Sequence, residues 1–177
     1  ESVLVKANKL YPLELDVVRS RFVIAKRCIQ SEYHQKMIRL ALEGKKAEVE
    51  KLEKEMKKKF EETDSYIDLI LRSNVPTMML EGEFDELSKL GEMTYTDFDG
   101  TEKPYLTPHE LSCLTIERGN LTDAEFGEIK SHVSHSYNFL VQIPWTRELR
   151  GIPEIAHGHH EKLNGEGYPR ALQDEEI

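Results

Sequence analysis

Between Pro12 and Ser73 the chain has room for little but helix. Leu15, Val18, Phe22, Ala25, Ile29, Tyr33, Met37 and Leu40 recur at steps of three and four, the period of one helical face. Pro12 suits a first helical turn, and the run lasts to about Glu43, where Gly44 offers a break. A second helix then begins near Lys45. Its stripe is narrower, with Val49, Leu52, Met56 and Phe60, then Ile67, Ile70 and Leu71, and it ends by Ser73 before Asn74 and Pro76. Glu50 and Lys54, Glu53 and Lys57, and Glu55 and Lys59 stand four apart in the favourable order. A solvated helical hairpin is the reading. The alternative use of the same stripe is a coiled-coil contact between two copies.

The remainder is shorter-ranged. A short helix is expected over Glu83–Leu90. Thr/Tyr alternation from Met93, the Asp99-Gly100 turn and Lys103-Pro104-Tyr105 predict a small β-hairpin whose second strand is an edge. Thr107-Pro108-His109-Glu110 and Thr122 with Glu125 are helix starts of the capping-box kind. After Thr122, the residues Phe126, Ile129, Val133, Tyr137 and Leu140 form the stripe expected to be buried, with His132 at its border. Ile143-Pro144-Trp145 ends that helix, and Pro153 opens another, expected to carry Ile155, Ala156, His159 and His160. The fold class expected is all-α, with a long helical hairpin and one β-hairpin.

Composition narrows the function. A net charge of −9 argues against binding a nucleic-acid polymer, which needs a basic footprint. An acidic protein that handles an anionic substrate must neutralise it locally, with metals or a few placed cations. Cys28 and Cys113 lie far apart without metal-type spacing, so two buried thiols in a reducing compartment are expected. No apolar run reaches the roughly 20 residues of a membrane span. A cytoplasmic location is the expectation.

The chemistry-bearing stretch is Gly158-His159-His160-Glu161-Lys162-Leu163-Asn164-Gly165-Glu166-Gly167-Tyr168-Pro169-Arg170. Neutral imidazoles ligate iron, manganese, nickel or zinc. On a helix, neighbouring residues point about 100° apart, so two adjacent rings suit two neighbouring ions better than one. Glu161 is placed to orient an imidazole, and Arg170 to fork onto a phosphate.

His159-His160-Glu161 followed by Gly165 and Gly167-Tyr168-Pro169-Arg170 resembles the signature of the HD-GYP family, metal-dependent phosphodiesterases that hydrolyse cyclic di-GMP. The run Gly119-Asn120-Leu121-Thr122 to Lys130-Ser131-His132 is similar to the family's segment that ends in another metal-ligating histidine, with Val133 where the family usually has proline. The resemblance covers residues 117–177 closely and residues 1–11 faintly. It implies His132, His159 and His160 as metal ligands, and two or three divalent ions, iron or manganese before zinc or nickel. Glu161 would support the ligands. Arg170, Lys162, Tyr168, Gly167 and Pro169 would form the substrate side, and the products would be pGpG or GMP. Gly167-Tyr168-Pro169 has a second implied use, as a contact for a protein partner. His135 and His157 are expected to be exposed or to support the site.

The family's His-Asp pair and its last acidic helix do not occur in the sequence. The expectation is therefore an interior piece of a larger domain: residues 1–11 as a remnant, 12–92 as a helical insertion that could pair two copies, 93–106 as a connector, and 107–177 as the C-terminal part. An alternative function is binding of a cyclic dinucleotide or a protein without turnover.

Overall fold

The computed structural model describes residues 6–176. The first five residues of the lead-in compared above with the family lie outside the described residues. Six α-helices and one two-stranded sheet are present among the described residues, in the order α1 (Pro12–Leu42), α2 (Lys46–Ser73), α3 (Glu83–Glu92), β1 (Thr94–Thr96), β2 (Glu102–Pro104), α4 (Pro108–Leu114), α5 (Asp123–Leu140) and α6 (Ile152–Gly158). The mainly helical class expected from periodicity is what is found. The chain divides into two compact units at residues 121 and 122.

In the unit over Lys6–Leu121, α1 and α2 form the hairpin. Its base is buried: Val18, Phe22 and Ala25 of α1 and Leu69 and Ile70 of α2 join Leu87, Leu90, Tyr95, Tyr105 and Leu114 in one core. Further out, Ile29, Tyr33, Met37 and Leu40 face a stripe of Val49, Leu52, Met56 and Phe60, and each stays only half-buried. Two helices alone cannot enclose a side chain, so the outer half of the hairpin depends on helix propensity and local ion pairs. Glu53–Lys57 closes at 3.2 Å, whereas Glu55 leans back towards Lys51 at 3.9 Å.

Polar contacts fasten the base. Asn74, just past α2, takes the Leu10 N–H on its side chain at 2.7 Å and the Lys9 N–H on its carbonyl at 2.9 Å. Lys9 is 1% exposed and donates to the Leu114 carbonyl at 3.0 Å; burial pulls its pKa down. Arg21 forks onto buried Glu110 at 2.6 and 3.1 Å and also donates to the Tyr105 carbonyl. Glu110 closes the capping box with Thr107, as the Thr-Pro-His-Glu spacing predicts. Thr94–Thr96 pairs antiparallel with Glu102–Pro104, the expected hairpin. Both cysteines are buried, Cys28 at 8% exposure and Cys113 at 1%. No described helix is long and apolar enough to cross a membrane.

The unit from Thr122 onwards contains α5, α6 and a long terminal loop. Thr122 and Glu125 form the expected capping box. The stripe expected to be buried along α5 is not: only Val133 is fully enclosed, and Phe126 is 44% exposed. The reason is that α5 meets one short helix of seven residues, which cannot cover a full face.

Candidate metal centre

Three imidazoles converge at the end of α6. His132 comes from the middle of α5. His159 and His160 come from the turn after α6, not from the helix itself as expected, because α6 ends at Gly158 and His159 is its C-cap. His159 keeps right-handed dihedrals (φ −66°, ψ −12°), so the ring still projects as it would from a further helical residue. Ring centroids lie 5.6 Å apart for His132 and His159, 5.2 Å for His132 and His160, and 4.0 Å for His159 and His160. One ligand nitrogen from each residue lies within 4.8 Å of the other two. A single tetrahedral ion needs nitrogens roughly 3.4 Å apart, so small side-chain rotations could close the three onto one ion.

The tautomers are set by the backbone. His132 Nδ1 donates to the Ile129 carbonyl, and His159 Nδ1 donates to the Ala156 carbonyl at 2.7 Å. Each Nε2 therefore keeps its lone pair for a ligand bond. Burial lowers the His160 pKa, and neighbouring His159 and His132 lower it further. That favours the neutral form of the His160 ring, the form that binds a divalent cation. The residues fit such an ion.

Glu161 does something other than orient an imidazole. Its Oε1 accepts the Arg170 N–H at 2.7 Å and its Oε2 accepts the Leu172 N–H at 2.9 Å. The carboxylate thus folds the loop back on itself, and the His132 and His159 rings are held by carbonyls. Gly167 is needed at the crossing, since a Cβ there would collide with Glu161 Cα and Lys162 N. Tyr168 donates its N–H to the His160 carbonyl at 3.3 Å and stacks on the His160 ring. The Tyr168–Pro169 peptide is cis, and Pro169 is exposed.

Arg170 reaches back to α6. Its Nη1 donates to Glu154 Oε2 at 3.2 Å, and Glu154 Oε1 accepts the Tyr137 hydroxyl at 2.9 Å. Gly158 leaves space beside the guanidinium: a Cβ there would stand 3.6 Å from Arg170 Nη2. Lys130 lies over the Tyr168 ring at 5.5 Å and over Phe126 at 4.5 Å. Lys162 and His135 are exposed, and His157 stacks on Tyr137 at 4.2 Å. Glu154, Tyr137 and Lys130 were not legible as parts of the site. Tyr137 read as core, and no periodicity links Glu154 to an arginine across a glycine-rich loop.

Comparison with known proteins agrees with the resemblance. Residues 105–177 match the HD domain family. Over 59 residues the chain is 32% identical to the 3'3'-cGAMP-specific phosphodiesterase 3 of Vibrio cholerae serotype O1, a match covering 33% of this chain and 12% of that protein. No solved structure gives a significant match.

Proposed function

Taking the HD domain over residues 105–177 as premise, we propose that the chain contributes to a metal-dependent phosphodiesterase acting on a cyclic dinucleotide, with cyclic di-GMP as substrate and pGpG or GMP as product. The observation that carries this reading is the set of three imidazole nitrogens within 4.8 Å, two of them from rings whose Nδ1 is already committed to a carbonyl.

His132, His159 and His160 would hold the ions. Bound divalent ions supply an acidified water and polarise phosphoryl oxygens. The rest belongs to the side chains. Arg170, steadied by Glu154, offers its remaining N–H donors to a non-bridging phosphate oxygen. Lys130, over the Tyr168 ring, and exposed Lys162, two residues after His160, add positive charge on a chain whose net charge is −9. Tyr168 shields one face of His160 from water. Hydrolysis adds water oxygen to phosphorus, breaks a bond to a ribose 3'-oxygen and returns a proton to that oxygen. Opening one linkage gives the linear dinucleotide and opening both gives the mononucleotide.

We read residues 12–92 as an insertion in this domain and 107–177 as its C-terminal part, in a cytoplasmic signalling protein. Exposed Pro169 leaves the Gly167-Tyr168-Pro169 turn a surface for a protein partner. A second reading is binding of a cyclic dinucleotide or a protein without turnover.

The test is hydrolysis of cyclic di-GMP and of 3'3'-cGAMP by Mn²⁺- or Fe²⁺-loaded protein, with His159→Ala as control. Metal-dependent cleavage of cyclic di-GMP lost in the variant supports the proposal. Preference for 3'3'-cGAMP would correct the substrate, and binding of either nucleotide without cleavage would select the second reading.

A further inference from the structure

Helix α1 carries two apolar faces. One, through Val18, Phe22 and Ala25, is the buried face of the hairpin base. The other is exposed, its first three residues also forming a groove with Tyr95, Asp97 and Lys103: Leu13 is 75% exposed, Val17 49%, Ile24 39%, Ile38 61% and Leu42 85%. At 100° per residue these five project within about 60° of one another, on the side away from the core. They form two apolar clusters, Leu13, Val17 and Ile24 near one end and Ile38 and Leu42 near the other, with Arg27, Ser31 and Gln35 between them, along a helix of 31 residues, about 45 Å.

This face also reads nearly the same in both directions. About a point between Arg27 and Cys28, Leu13 mirrors Leu42, Val17 mirrors Ile38, and polar Ser20 mirrors polar Gln35, while Ile24 falls opposite Ser31. A two-fold interface requires this self-complementarity, since residue i must meet j where j meets i. The five exposed side chains offer on the order of 600 Å² per copy, so a pair would bury about 1,200 Å², the lower edge of stable interfaces.

We propose that this chain forms a homodimer in which the outer face of α1 packs antiparallel on the same face of a second copy. The stripe that periodicity first suggested for such a contact, from Leu15 to Leu40, is occupied by α2. The pairing face is the opposite one.

The test is sedimentation velocity on the 177-residue chain at about 50 µM, where a dimer with a Kd in the low micromolar range is the main species. The expected mass is twice 20.5 kDa. The double variant Val17→Glu/Ile38→Glu is expected to run as a single chain with unchanged helical circular dichroism, and Leu13→Glu/Leu42→Glu repeats this at the helix ends. For orientation, Leu13→Cys/Leu42→Cys is expected to form a disulfide-linked dimer, whereas Leu13→Cys alone is not. A monomeric parent chain, a dimer that survives both glutamate pairs, or cross-linking by Leu13→Cys alone would overturn the proposal.

Discussion

Tyr168 lies flat on His160, with ring centroids 4.7 Å apart and planes 20° from parallel. The Gly-Tyr-Pro turn is thereby tied to the imidazole cluster, and the tie is made by the ring. Replacing Tyr168 with Phe should leave divalent-metal affinity within about twofold. Tyr168→Ala removes a stacking contact worth about 0.5–1.5 kcal/mol and should weaken affinity up to about tenfold. Titration calorimetry with Mn²⁺ on the three proteins measures this.

Glu161 takes two backbone N–H groups at once. A glutamine has one acceptor oxygen and must turn its NH₂ towards the other donor. Glu161→Gln should loosen the loop after His160 and speed amide exchange at Arg170 and Leu172. Hydrogen bonds to charged groups contribute about 1.5–3 kcal/mol each, so protection at those two amides should fall by at least about tenfold. Unaltered exchange there would contradict the role given to Glu161.

Arg170 is aimed through Glu154, which is itself held by Tyr137. Glu154→Ala should raise KM for the dinucleotide more than it lowers kcat, because it frees a binding cation and leaves the imidazoles in place. An effect of up to about fivefold fits an exposed ion pair of up to about 1 kcal/mol. Tyr137→Phe should act in the same direction and more weakly.

Glu110 gives the fold an acid limit. Burial pushes its pKa up, but the hydrogen bonds and charge of Arg21, with the Thr107 N–H, outweigh burial and leave it lowered. A carboxyl lowered on folding stabilises above its unfolded pKa, and that contribution is lost as pH falls through the folded value. The loss begins near the ordinary glutamate pKa of about 4.3 and proceeds below it. Thermal melts from about pH 5 to about pH 3 should therefore show a steeper drop for the parent chain than for Glu110→Gln. The variant should be less stable at neutral pH, by up to about 3–5 kcal/mol, since Arg21 is left without its buried partner.

How far the sequence spoke depended on the range of the interaction. The hairpin, the capping boxes at Thr107 and Thr122 and the Asp99-Gly100 turn were all legible because each is fixed within a few neighbouring residues. The clustering of His132 with His159 and His160 came from resemblance, since no local rule joins α5 to a turn some 27 residues later. What misled was periodicity read as burial. Phe126 and Tyr137 repeat at helical spacing, yet burial needs a covering surface, and α6 is too short to give one. On α1 the same habit picked out the face towards α2 and passed over Leu13, Val17 and Ile38, because one pattern of apolar residues masked another.

The most direct measurement is Mn²⁺ titration of the folded protein beside His132→Ala, His159→Ala and His160→Ala, with circular dichroism to verify that each variant keeps its helices. Three ligands acting as one centre predict binding by the parent chain and a loss of at least about tenfold in affinity for each variant, one ligand bond being worth more than 1.4 kcal/mol. Equal affinity in the parent and in any one of the three variants would contradict a shared metal centre.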